Sequence, residues 1–247
     1  MLDTVIFSLI KGLPFSIKKK LIEDHKSPKK AIVNLKISLR RVNSKTGLKI
    51  LNQINSNAIV EKAEKIIQEC MESKIQIIPY WDNFYPKDLI HCIDAPFLIY
   101  SKGEQNPNTQ SLISIVGTRN CTDYGLKEIK RILNYLKSYP IGIVSGLAYG
   151  IDIYAHRSAN KLNLVNHAVL GGGINRIYPK KHLEDSQKIK ENGILISEYS
   201  PNEGPRAYHF PRRNRIIAGM SKCTIVIESK KTGGAMITAR LANDYNR

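Results

Sequence analysis

The chain has 247 residues, 42% hydrophobic and 24% charged, with a formal net charge of +17. That size and balance describe a folded protein of one or two domains, and no apolar run reaches membrane-spanning length. The positive excess favours a polyanion, either nucleic acid or an acidic membrane surface, although a chain rich in Lys, Ile and Asn acquires such an excess from AT-rich coding alone.

The N-terminus, MLDTVIFSLIKGLPF, carries an acid near its start and no small-residue cleavage site. No signal peptide is expected, and the expected compartment is the cytoplasm. Cys70, Cys92, Cys121 and Cys223 lie far apart without a C-x-x-C pair. Reduced thiols fit this better than a zinc or disulfide framework.

Residues 1–75 read as a small helical domain. Thr4–Ile10, Ile17–Ile22, Ala31–Leu39 and Ile59–Met71 are apolar-periodic, and Lys11-Gly12-Leu13-Pro14 and Ser27-Pro28 separate the first three. This part holds 15 Lys/Arg against 7 Asp/Glu, so the positive excess is spread over both parts of the chain. The Lys18-Lys19-Lys20 run is read as a solvated helix face. Ile75–Pro79 and Ala95–Tyr100 read as strands, with the aromatics of residues 80–85 sealing one edge of a sheet. Ser101–Gln110 reads as a loop.

From Leu112 onward one unit recurs: strand, glycine-containing loop, helix. Leu112–Val116 suits a strand covered on both faces, and Gly117 ends it. Thr122 or Asp123 is placed to cap a helix carrying Ile129, Leu133 and Leu136. Free N–H groups at that helix start attract anions, and Arg119 adds a permanent bidentate donor. This corner is expected to hold a phosphate of single-stranded nucleic acid. Ile141–Ser145 leads into Gly146–Gly150 and a helix from about Ile151, and Ala168–Leu170 leads into Gly171–Gly173. Gly193–Ser197 leads into a long Pro-rich loop, and Thr224–Glu228 leads into Lys230–Gly234 and a helix over 235–245. This alternation predicts an α/β fold with a mainly parallel sheet and helices on both faces. Its glycine loops then meet at the carboxyl end of the sheet.

Charge in these loops suits a polyanion. Tyr178-Pro-Lys-Lys-His182 follows the triple glycine, and Phe210-Pro-Arg-Arg-Asn-Arg215 precedes a helix over 216–220. Arginines in a first helical turn oppose the helix dipole, so they serve something else. For Arg213 and Arg215 that is either a bound anion or a buried carboxylate, Glu198 or Glu203; Arg212 is read as a ligand contact. Asp152 and His156, four apart on a helix, lack a third metal ligand and are read as a cap and a buried hydrogen bond. The P-loop, the G-x-S-x-G elbow and the full dinucleotide fingerprint are all missing, and no cofactor is expected.

In order, Ile115–Arg119 with Tyr124-Gly125, Ser145–Asp152 with Ala155-His156, Ala168–Gly173 with Tyr178-Pro-Lys180, Ile196–Glu198, Phe210–Gly219 and Thr232–Ala239 resemble the DNA-processing protein A (DprA/Smf) family. The resemblance covers roughly 130 residues, the sheet domain, and residues 1–75 match only as a short basic helical region. It implies an extended Rossmann-like domain over 76–247 behind a small helical (SAM-like) domain over 1–75. It further implies a non-enzymatic role in natural transformation: binding single-stranded DNA, shielding it from nucleases and helping to load the RecA recombinase.

In that family the arginine of the G-x-R loop and the lysine of Y-P-K line the phosphate pocket, and these fall on Arg119 and Lys180. An aromatic just after Y-P-K stacks on a base in some members. Lys181-His182 stands there, so stacking is weaker or uses the His182 imidazole. The residues expected at the DNA phosphates are Gly117, Thr118, Arg119, Thr122, Gly146, Gly171, Gly172, Lys180, Lys181, His182, Arg212, Arg213, Asn214, Gly233 and Gly234. Family members continue past the position of Arg247 into elements used for pairing two subunits and contacting RecA. The alternative is a phosphoribohydrolase of the lysine-decarboxylase-like (LOG) group, which shares a Gly-Gly loop before a helix. That group carries a catalytic glutamate there, whereas here no acid follows Gly233-Gly234 until Asp244.

Overall fold

The computed structural model describes residues 1–41 and 44–247. Five helices come first: α1 (Leu2–Leu9), α2 (Phe15–His25), α3 (Pro28–Arg41), α4 (Lys45–Asn55) and α5 (Asn57–Glu72). The turn after α5 leads to β1 (Gln76–Pro79) and β2 (Leu98–Gly103). Then follow β3 (Ser111–Gly117), α6 (Asp123–Leu136), β4 (Ile141–Ser145), α7 (Ile151–Lys161), β5 (Asn166–Val169), α8 (Leu183–Glu191), β6 (Gly193–Ser197), α9 (His209–Gly219), β7 (Cys223–Ile227) and α10 (Gly234–Asp244).

The seven strands form one sheet in the order β1-β2-β6-β5-β4-β3-β7. The run β6-β5-β4-β3-β7 is parallel, and β1 and β2 extend one edge antiparallel. The mainly parallel α/β architecture expected from the alternation is therefore present. Because these five strands run the same way, the loops that leave them gather along one edge of the sheet.

Two apolar clusters cover the sheet. One joins Ile115 and Ile143 to Ile129 and Leu133 of α6 and Ala155 and Ala159 of α7. The other runs from Phe7, Ile50 and Ile66 of the N-terminal helices through Tyr80 and Phe97 to Leu195, Ile216 and Met220. At the β1–β2 edge, Tyr80 packs edge-to-face on Phe15, Trp81 and Phe97. The aromatics thus seal that edge, as the sequence suggested.

Several expectations are corrected. Helix α4 went unpredicted; Ser44 caps it by accepting the Gly47 N–H at 2.9 Å. Strand β2 takes in Ser101–Gly103, which had read as loop. Helix α9 starts at His209, not Ile216, because Pro211 occupies its first turn, where an N–H would have no helical partner anyway. Lys18 is not on a solvated face. Its ammonium is buried, donates to the Ser8 carbonyl at 2.8 Å and lies 5.6 Å from the Phe97 ring centre. Burial without a carboxylate lowers its pKa to about 8.

Two buried histidines set a pH dependence. His156 accepts the Leu147 N–H at its Nε2 and donates from Nδ1 to Asn166 Oδ1 at 2.6 Å. Burial lowers the pKa of His156 to about 4 and that of His167 to about 3. Both stay neutral in the fold while the unfolded chain takes up protons near 6.5, so the unfolded state binds more protons at acid pH. Stability is expected to fall as pH drops from about 6.5 toward 4, by up to about 1.4 kcal/mol per pH unit for each histidine. Denaturant titrations across that range check this, and a flat profile in wild type would contradict it.

Candidate nucleic-acid interface

The loops at the carboxyl edge are tied to one another by their backbones. Thr118 donates its N–H to the Glu228 carbonyl at 2.7 Å and accepts the Ile151 N–H at 3.1 Å. Gly173 donates to the Glu203 carbonyl at 2.7 Å, and His209 Nδ1 donates to the Gly171 carbonyl. Gly150 has φ +71°, and a Cβ there would stand 2.2 Å from the Thr118 carbonyl oxygen. Glycine is required at this crossing of two loops.

Arg119 leaves this framework exposed, with its guanidinium carbon 5.9 Å from the Phe210 ring centre. It belongs to no ion pair among the described residues. Tyr178 packs on the same ring, 5.6 Å between centres. Two residues on, Lys180 and Lys181 are exposed, and His182 is tied back by donating to the Leu147 carbonyl at 2.8 Å. The backbone on either side of Lys180 is thereby held, by Tyr178 on Phe210 and by His182 on Leu147 of the Gly146–Gly150 loop. Phe210 touches both Arg119 and Tyr178, and sequence reasoning had not singled it out; only its place one residue before Pro211 hinted at it.

The cation beneath the rim is Arg213, which is 3% exposed. It donates to the carbonyl oxygens of Gly146, at 2.6 Å, and of Val169. It also faces Asp152, whose carboxyl sits above the usual carboxylate range because burial outweighs the pull of Arg213 and of the Ala148 and Gly146 amides. Burial lowers the pKa of Arg213 to about 10, so it stays charged at neutral pH. Arg213 clamps two loops from below, and the buried carboxylate it faces is Asp152 rather than Glu198 or Glu203. Arg215 does take the buried-carboxylate role, on Glu198. Arg212 is mostly exposed, with Nε 3.5 Å from Glu198.

Other expected contacts are taken up by the protein itself. The Thr122 N–H and hydroxyl both donate to the Glu228 carboxylate, the N–H at 2.8 Å. The anion at the start of α6 is thus an internal one, and Thr122 is not free for phosphate. These hydrogen bonds hold Glu228 below its ordinary pKa. Its stabilising effect is present above the ordinary carboxylate range and is lost as pH falls through the lowered value. Glu228→Gln is expected to lower the melting temperature while leaving oligonucleotide affinity unchanged; an equal loss of affinity would place Thr122 in the interface after all.

The space left by three glycines is likewise filled from within. A Cβ at Gly117 would meet Ile227 O, one at Gly146 the Arg213 guanidinium, and one at Gly171 the Phe210 ring. Gly172 lies against residues 203–205, and Gly233 against Ser229 and Lys230. Gly234 opens to solvent, and its carbonyl accepts from Asn214 Nδ2 at 3.4 Å. His182 is buried, so it offers no face to a base; the exposed aromatic beside it is Tyr149, 5.0 Å between ring centres. Asp152 is not a side-chain cap of α7.

Together these features define a doubly wound α/β protein whose carboxyl-edge loops carry exposed cations over a tightly tied floor. Residues 76–247 match the family described as DNA recombination-mediator protein A, and the chain belongs to that family. It is 37% identical over 172 residues to Protein Smf of Escherichia coli, covering 69% of this chain and 46% of that protein. It is 35% identical over 196 residues to DNA processing protein DprA of Streptococcus pneumoniae, covering 78% and 69% respectively. The crystal structure of the S. pneumoniae protein superposes over all of this chain and 84% of its own, with a TM-score of 0.84 at 29% identity. A Helicobacter pylori DNA processing protein A, whose structure is described by its single-stranded DNA binding mode, superposes over 70% of this chain and 78% of its own, with a TM-score of 0.63 at 28% identity. The chain thus spans about half the length of the E. coli relative and about two thirds of the pneumococcal one.

Proposed function

We propose that this chain binds single-stranded DNA, with a backbone phosphate held between Arg119 and Lys180. The observation that carries this is the guanidinium of Arg119, in no ion pair among the described residues, standing over Phe210, with Tyr178, two residues before Lys180, against the same ring. Family membership and the DNA-binding mode named for the H. pylori relative support it. A guanidinium offers an oxyanion two parallel donors. A single strand also offers bases for the exposed rings of Tyr178 and Tyr149 to stack on. The role proposed is binding and protection of the strand in the cytoplasm, followed by transfer to the RecA recombinase. Pairing of two subunits and the RecA contact extend the same reading to the whole protein, as does a division into a helical unit over 1–75 and a sheet unit over 76–247. The phosphoribohydrolase alternative is disfavoured because α10 begins at Gly234 with no carboxylate before its last residue, Asp244.

Competition between unlabelled single-stranded and duplex DNA for a labelled thymidine oligomer tests the proposal. Single strands are expected to compete at least about tenfold better. Equal competition would contradict it.

A further inference from the structure

A wide groove of about 1550 Å³ lies beside the rim rather than in it. The first turn of α9 divides the two. Phe210 faces the rim, touching Arg119 and lying against Gly171, while Tyr208, Pro211 and Arg212 line the groove. Across the groove stands α5, which presents Lys62 and Lys65 on successive turns.

Charge and shape suit a single strand. Lys62, Lys65 and Arg206 are exposed and belong to no ion pair among the described residues. Of the acids on the walls, Glu198 and Asp94 already face Arg215, and Glu203 faces His209; Glu61 and Glu69 of α5 remain. Tyr208 is 58% exposed, and Arg206 steadies it by donating to its hydroxyl at 3.3 Å. A fixed, open aromatic face between cations is what a stacked base and its phosphates require.

We propose that this groove is the second stretch of a single-strand track. A strand held at Arg119 crosses the first turn of α9, stacks a base on Tyr208 and runs its phosphates past Lys62 and Lys65. The N-terminal helices thereby become part of the binding surface. The proposal rests on the single-strand reading of the rim.

The test is the double variant Lys62→Ala/Lys65→Ala in the full chain, with Arg119→Ala beside it. Fluorescence anisotropy is read with thymidine oligomers of about four and about twenty nucleotides. The lysine variant is expected to bind the long oligomer roughly tenfold more weakly, with its salt slope lowered by about 1.4 for two lost contacts, and to bind the short one as wild type does. No change with the long oligomer, or an equal change with both, overturns the groove. Arg119→Ala should weaken both lengths. If it weakens neither, the rim reading fails, and the length-dependent loss in the lysine variant still decides the groove. An independent measurement is photocrosslinking with iodouracil placed along the long oligomer. Tyr208 should be labelled from positions outside the rim, and labelling confined to the rim overturns the proposal.

Discussion

Arg119→Ala is expected to cost the chain about 2 kcal/mol of single-strand affinity, roughly thirtyfold. The reason is that no ion pair among the described residues holds this guanidinium. It lies over the face of Phe210, and a bidentate phosphate contact exceeds a half-exposed cation–π contact of about 0.5–1 kcal/mol. Removing one phosphate contact should also lower the salt slope of binding by about 0.7. Because Arg119 is exposed, the melting temperature should hardly move, in line with surface changes that stay within about 0.5 kcal/mol. Lys180→Ala should act in the same direction with a smaller loss, since an ammonium is a single point charge without the fork. Equilibrium titrations at several salt concentrations check both. Unchanged affinity in both variants would remove the rim from the binding surface.

Arg213→Ala should fail differently from Arg119→Ala. Its guanidinium lies beneath the rim, satisfies the Gly146 and Val169 carbonyls and faces the buried Asp152. Truncation leaves those carbonyls without their donor and strands a buried acid, a change that costs about 3–5 kcal/mol. In a chain of this size that is a melting temperature lower by roughly 10 °C. Arg213→Ala/Asp152→Asn should recover part of the loss, because the second change removes the uncompensated charge. Thermal unfolding of the three proteins decides this. A variant as stable as wild type but weak in DNA binding would mean that Arg213 reaches the strand directly.

The contrast between these two arginines shows which features the sequence carried. The strands from β3 to β6 were readable because a strand covered on both faces needs an apolar run, and those of β3, β4 and β5 are followed by glycine. Helix α6 was readable because Ile129 and Leu133 repeat at helical spacing. Exposure and partnership were another matter. Arg212, Arg213 and Arg215 stand in one short stretch, yet their fates are set by Gly146, Val169 and Glu198, which come from other loops. The same holds for Lys18, whose neighbours Phe7 and Phe97 are far apart in the chain, and for Thr122, whose N–H is met by Glu228 at the end of the neighbouring strand β7, distant in sequence. Helix α4 was hidden by Gly47 in its first turn, and the start of α9 by Pro211. Local pattern identified the elements; contacts between distant loops decided which charges remain for a ligand.

The most direct measurement is a crystal structure of the chain with a short thymidine oligomer. A phosphate oxygen is expected within hydrogen-bonding distance, about 3 Å, of the Arg119 guanidinium, with Lys180 on its other side and Arg213 still beneath on the Gly146 and Val169 carbonyls. An oligomer seated elsewhere, with Arg119 and Lys180 both left in solvent, would contradict the account.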